Sequence, residues 1–145
     1  MNKKIISLLC GLIITLSTFS QVDKIIGKWK TIDDKDGTTK SIVLIFKSTN
    51  GKYFGKIEKL LKNPNALCKE CEGANKNKPI LGMVIINGMI EKEGSLTGGT
   101  ILDPNNGKVY HCNISIDSKS GELTVRGSMD KRGIIGRSQT WIREK

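Results

Sequence analysis

The 145-residue chain predicts an all-β protein, an antiparallel barrel or sandwich of eight strands. Three observations carry that expectation. Short runs that alternate in polarity, or are apolar throughout, recur along the chain and are separated mostly by Asp-, Asn- and Gly-rich reversals. No stretch shows the period of a long amphipathic helix. No internal repeat, heptad or low-complexity tract breaks the pattern. Eight strands can close into a barrel whose interior is either filled by side chains or holds one small ligand.

The N-terminus stands apart from this pattern. Lys3 and Lys4 are followed by the apolar run Ile5 to Leu16, broken only by Ser7 and Thr15, and then by Ser17-Thr18-Phe19-Ser20. That is the layout of a secretory signal peptide, with cleavage expected after Ser20 and the mature chain beginning at Gln21. The apolar run is too short to span a bilayer, which takes roughly 20 residues. A lipoprotein signal using Cys10 fits poorly, because only Ile5 to Leu9 would precede the cysteine and Leu9 is not small. The expected domains are therefore a signal peptide, residues 1–20, and a β-barrel domain, residues 21–145, exported to the periplasm or beyond.

Removing residues 1–20 takes away Lys3 and Lys4, so the formal charge falls by two from +10 to +8 and 125 residues remain. A domain of that size can bury a core without disulfides. The basic balance could suit nucleic acid, anionic lipid or an acidic ligand, but nucleic acid is excluded as a partner by the expected export. The lysines are spread through turns and strand edges, as on a solvated surface that discourages edge association.

Val22 to Ile26 is expected as a short helical turn leading into Gly27 to Ile32, a first strand with Trp29 on one face. Asp33-Asp34-Lys35-Asp36-Gly37 turns the chain into Ser41 to Lys47, which is apolar on both faces. Thr49-Asn50-Gly51 closes a hairpin onto Tyr53 to Leu61, where Tyr53, Gly55 and Ile57 share a face. Residues 62 to 79 form an unusually long connection, often a functional or crosslinked one, that contains Cys68 and Cys71. Met83 to Ile90 resumes the strands. Leu96 to Leu102 and Lys108 to Asp117 form a hairpin around Asp103-Pro104-Asn105-Asn106-Gly107. Proline presets the turn, and Asn105, Asn106 and Gly107 are the positions expected to take positive φ. Glu122 to Met129 and Ile135 to Arg143 complete the set.

Alternation proposes an interior. Tyr110, Cys112, Ile114 and Ile116 share a face on the sixth strand, opposed by His111. Leu123, Val125, Gly127 and Met129 share one on the seventh. On the last strand Ile135, Arg137, Gln139, Trp141 and Arg143 lie together, an apolar face that also carries polar groups. On the second strand Ile42, Leu44 and Phe46 are expected inside, leaving Val43 and Ile45 as an apolar outer face for a partner or for cover by the long loop.

These residues also carry a resemblance. Gly27-x-Trp29 resembles the entry motif of lipocalins, and Trp141-x-Arg143 resembles their ending, whose arginine packs near that tryptophan. Cys68-x-x-Cys71, Gly82, the segment Gly99-x-Ile101-x-Asp103-Pro104-x-x-Gly107-Lys108-x-Tyr110-x-Cys112, Arg126-Gly127 and Gly136-Arg137-x-Gln139-x-Trp141-x-Arg143 extend it. Across nearly the whole mature chain the sequence resembles the bacterial domain of unknown function 2147 family. That resemblance implies an eight-stranded antiparallel lipocalin-like barrel with a short N-terminal helical turn. It implies no settled activity, and kinship of fold does not deliver function.

Each chemically suggestive group has a plain structural alternative. Cys68 and Cys71 are expected to form a disulfide in an exported protein; redox activity, metal binding and free thiols are the other readings. Glu70 and Glu72 would raise a thiol pKa here, against a redox role. A structural zinc site needs four ligands, and the extra candidates Cys112 and His111 alternate to opposite faces. No metal site and no cofactor are therefore expected. Cys112 is expected as a small buried hydrophobe. His111 has no catalytic company, and neither a nucleophile elbow nor a phosphate loop occurs. Gly98-Gly99 reads as a bend or bulge, and Asp103 as the cap of the turn at Pro104 rather than as an acid or base. Trp29 and Arg143 are expected to stack and close one end, with Asp103, Pro104 and Gly107 as further structural positions.

Tyr53, Tyr110, Arg137, Gln139 and Trp141 are the candidate ligand-binding residues. Inside a barrel, Arg137, Gln139 and Trp141 would offer a cation, an amide and an aromatic wall to an anionic amphiphile such as a fatty acid. Alternatively Arg137 pairs with an acidic side chain, or a bulge inverts the strand. The leading expectation is a non-enzymatic exported protein binding a small apolar or amphipathic ligand. The alternative is an envelope structural or interaction module with a filled barrel and no ligand. No catalytic residues are assigned, and the sequence does not name a protein partner.

Overall fold

In the computed structural model, which describes residues 10–13 and 20–145, Ser20 opens the first element. Its hydroxyl accepts the Val22 N–H at 3.3 Å and caps α1 (Gln21–Ile25), one residue earlier than the expected turn. The expected signal peptide falls mainly on residues 1–9 and 14–19, outside the described residues.

Eight strands follow: β1 (Gly27–Ile32), β2 (Thr39–Lys47), β3 (Tyr53–Leu60), β4 (Val84–Lys92), β5 (Ser95–Asp103), β6 (Lys108–Ile116), β7 (Leu123–Ser128) and β8 (Gly136–Arg143). Each pairs antiparallel with its neighbour in sequence. β1 then closes onto β8 through Trp29 opposite Arg143 and Lys30 opposite Ile142. The result is a closed up-and-down barrel whose β1–β8 seam is sealed by those two pairs.

The two ends of the barrel differ. α1 lies across one end, where Val22 and Ile25 are buried and the Ser20 hydroxyl donates to Glu91 at the end of β4. Beneath it the Trp29 indole N–H donates to the Ile25 carbonyl at 2.8 Å. The Arg143 guanidinium sits 4.0 Å from the centre of the Trp29 ring and donates to the carbonyls of Ile26 and Lys24. One side chain therefore binds the helix to the barrel wall while covering the indole. Below this cap the interior is solid with Val43, Ile45, Tyr53, Met89, Leu96 and Ile114.

The direction of β2 is the reverse of the expectation. Trp29 pairs with Val43, and Val43 and Ile45 are fully buried, so they face the interior. Ile42, Leu44 and Phe46 face outward, where Ile42 lies between Lys30 and Lys59, and Phe46 stacks on Phe54 at 6.1 Å. A strand apolar on both faces gives alternation nothing to report. The register with Trp29 decides it.

The β5–β6 hairpin is built largely as expected. The register slips between Leu96 and Gly99, and Gly98 takes φ +78°, so the glycine pair is a bulge. At the turn the Asp103 carboxylate accepts the Asn105 N–H at 2.9 Å, and Gly107 N–H donates to the Asp103 carbonyl at 2.8 Å. Only Gly107 takes positive φ here. Asn105 and Asn106 do not; Asn106 instead accepts the Lys108 N–H through its side chain at 2.9 Å.

The long connection after β3 is tied down. Cys68 and Cys71 form a disulfide, with Cα atoms 5.3 Å apart. Leu67 bridges to Pro79, a 3₁₀ turn spans Gly73–Asn75, and Ile80 N–H donates to the Ala66 carbonyl at 3.0 Å.

Candidate functional site

Opposite α1 the barrel opens into a cavity of about 860 Å³. The difference between the ends follows from side-chain size and length of connection. The α1 end is filled by Trp29, Met89 and Leu96. Towards the other end the inward positions of β7 and β8 step from Leu123 and Trp141 to Val125 and Gln139, then Gly127 and Arg137. Gly127 leaves space where a side chain would stand, beside Ile101 and Tyr110, and Ile57 and Ile85 line the wall further round. The disulfide loop contributes Asn63, Ala66 and Ile80 to the wall.

The polar groups at this end form a connected series. The Trp141 indole N–H donates to Gln139 Oε1 at 3.2 Å, and Gln139 Nε2 donates to Asp34 Oδ2 at 3.1 Å. The Arg137 guanidinium donates to the same Asp34 oxygen. Arg137 is thus neither buried nor unpaired; its side chain is 74% exposed at the rim, with a carboxylate partner. Asp34 reaches it from the β1–β2 turn. That turn is itself held by Lys62, whose ammonium lies 3.1 Å from Asp33 and 2.6 Å from Asp36. The Lys35 backbone N–H and then the Lys62 ammonium hold Asp33 below its ordinary pKa. For Asp36 the Lys62 ammonium leads, followed by the Thr38 hydroxyl and N–H.

The structure brings Tyr110, Arg137, Gln139 and Trp141 together around one cavity. Tyr53 is not among its lining residues. It faces inward with Gly55 and Ile57, but it begins β3 next to the β2–β3 hairpin at the α1 end, buried and with Lys47 Nζ 5.7 Å from its ring centre. Trp29 and Arg143 also belong to that end. Asp34 and Lys62 were missed, because Asp33 to Gly37 reads in sequence only as a turn. Asp33, Asp34 and Asp36 mark a charged turn in the sequence, but nothing local names their partners.

Cys112 is buried and unbonded, and burial alone pushes its thiol up to about 12. Among the described residues no group of three or more His, Cys, Asp or Glu side chains could hold a metal ion. No described helix is long and apolar enough to cross a membrane.

A closed eight-stranded barrel, plugged by a helix over a Trp–Arg stack and open at the other end, defines a lipocalin-like fold. The fold is similar to that of protein HP1028 from the human pathogen Helicobacter pylori, which belongs to the lipocalin family. The TM-score is 0.72 and the identity 24%, over 83% of this chain and 82% of that one. Residues 27–143 match the family described as "Uncharacterized protein conserved in bacteria (DUF2147)", and the chain belongs to that family. No curated protein matches the chain.

Proposed function

We propose that this chain is an exported binding protein that takes a small apolar or amphipathic ligand into the open half of its barrel. The observation that carries the reading is the cavity of about 860 Å³, with Ile57, Ile85, Val125 and Trp141 as wall and Arg137, Gln139 and Asp34 at its rim. Its volume lies in the roughly 300–1,000 Å³ range of small-molecule sites, and an apolar wall below a markedly polar rim suits an amphipathic ligand. The basic-apolar leader and the Cys68–Cys71 disulfide are compatible with export.

A fatty acid, or another amphiphile with an anionic head, fits the order of groups. The chain would lie along the aliphatic wall and the head would meet Arg137. The Asp34 carboxylate stands where such a head would bind. An exposed ion pair of this kind contributes only about 0–1 kcal/mol, so exchanging one carboxylate for another at Arg137 costs little.

Displacement of an environment-sensitive fluorescent probe by fatty acids tests the reading, with native mass spectrometry of protein from its own host to identify a co-purifying lipid. Val125→Phe should crowd the cavity wall and weaken binding, while Arg137→Ala should weaken acids more than the matching alcohols. A folded Val125→Phe protein that binds as tightly as the unaltered one would mean that the ligand does not lie against this wall. The solid α1 half favours the second reading, a structural or interaction module, and absence of any displaceable or co-purifying ligand would establish it.

A further inference from the structure

The β7–β8 hairpin carries a feature that ligand binding inside the barrel leaves unused. Within seven residues it exposes Met129 at 76%, Ile134 at 70% and Ile135 at 64%. Soluble surfaces tolerate scattered apolar side chains, but three on one tip beside a cavity mouth form a patch. The tip is also rigidly built. Met129 N–H donates to the Ile135 carbonyl at 2.8 Å, and Arg126 Nε reaches back to the Gly133 carbonyl at 2.6 Å. Asp130 receives the N–H groups of Ile134 and Ile135 at 3.1 and 2.8 Å. Its negative charge is thereby turned onto the loop's own backbone, and the exposed Lys131 and Arg132 are the charges left facing outward.

We infer that this tip docks the barrel mouth onto the surface of a bilayer bearing anionic lipid headgroups. Apolar side chains flanked by two cations match the two layers of such a surface: acyl boundary for Met129, Ile134 and Ile135, headgroup phosphate for Lys131 and Arg132. The formal charge, +10 for the whole chain and +8 without residues 1–20, adds a long-range attraction of the same sign. Because Met129 and Ile135 also line the cavity, docking sets the barrel opening against the lipid layer. The inference does not depend on what the barrel holds.

Cosedimentation with vesicles tests it, using the full chain purified from an expressing bacterium so that the N-terminus is the same in every variant. The protein should bind vesicles of phosphatidylethanolamine and phosphatidylglycerol, and bind phosphatidylcholine vesicles far less. Lys131→Gln with Arg132→Gln should weaken binding to the anionic vesicles about 30-fold, five- to sixfold per charge. Ile134→Ser with Ile135→Ser should weaken it at least about tenfold, with an unchanged far-UV spectrum. In Ile134→Trp, quenching by brominated lipid should place the indole in the acyl boundary, a readout that needs no loss of binding. Unchanged vesicle binding in both double variants would overturn the inference. So would a concentration-dependent dimer that Ile134→Ser with Ile135→Ser dissolves, since the patch would then serve a second copy.

Discussion

Gly107 at the β5–β6 turn is pressed against the Glu70 carbonyl of the disulfide loop, so closely that a β-carbon on Gly107 would overlap both atoms of that carbonyl. The family-like hairpin and the cysteine loop are thus one structure, joined backbone to backbone at the cavity's rim. Gly107 meets two demands at once: φ of +72° and the absence of a side chain.

Gly121 separates these demands, because it shares φ of +72° and has nothing within 4 Å of a built β-carbon. Gly121→Ala should cost about 1–2 kcal/mol, the strain of a left-handed residue alone. Gly107→Ala should cost at least about 1 kcal/mol more, because the disulfide loop must move away. Urea denaturation measures both. Equal losses would mean that the contact with Glu70 yields freely.

Lys62, Asp33 and Asp36 make the β1–β2 turn sensitive to pH at both extremes. Both carboxylates lie below their ordinary value of 3.8 in the folded chain, and Lys62 lies above its ordinary 10.5, raised by Asp36 and then Asp33. A depressed carboxylate stabilises the fold above its unfolded pKa and loses that contribution as pH falls through the folded value. A raised lysine stabilises below its unfolded pKa and loses the contribution as pH rises through the folded one. The turn should therefore hold throughout the neutral range and release its contacts only in strong acid or strong alkali. Carboxyl NMR titration should find both aspartates depressed, with Lys62→Gln returning Asp36 furthest. Asp36 is exposed, and Asp33 and Lys62 are half-buried at the surface, so overall stability should change little.

Cys112 is predicted to be inert in the native protein. Its thiol is buried on the barrel wall with a pKa pushed up to about 12, so almost none is thiolate near neutrality. Alkylation should label it only after denaturation, and Cys112→Ser should destabilise the fold by placing a hydroxyl in an apolar setting, about 1–3 kcal/mol. Rapid labelling of folded protein at neutral pH would show that the wall opens there.

Sequence alternation proved readable wherever the two faces of a strand differ in polarity. On β8 it correctly grouped Arg137, Gln139, Trp141 and Arg143, and on β3 Tyr53, Gly55 and Ile57. It failed on β2, where Val43 and Leu44 are equally apolar and the Trp29 register alone sets the direction. Alternation also names a face without naming a depth. Tyr53 and Tyr110 both face inward, yet Tyr110 lines the cavity and Tyr53 is packed under the opposite end. Asp34 was out of reach for a different reason: it meets Gln139 across 105 positions of sequence, a pairing that exists only once the barrel closes.

That pairing yields the sharpest test of what the cavity binds. Asp34 occupies Arg137 and Gln139 with a carboxylate supplied by the chain itself, so it competes with any anionic head entering the site. Asp34→Asn keeps the shape and removes the charge. It should tighten binding of fatty acids several-fold, the equivalent of about 1 kcal/mol, and leave the corresponding alcohols nearly unchanged. Stability should hardly fall, because the lost ion pair is exposed. Parallel displacement titrations with acid and alcohol in both proteins measure the effect as a ratio, independent of protein concentration. If acid and alcohol shift together, the rim charges are not reading the head, and the cavity selects by apolar shape alone.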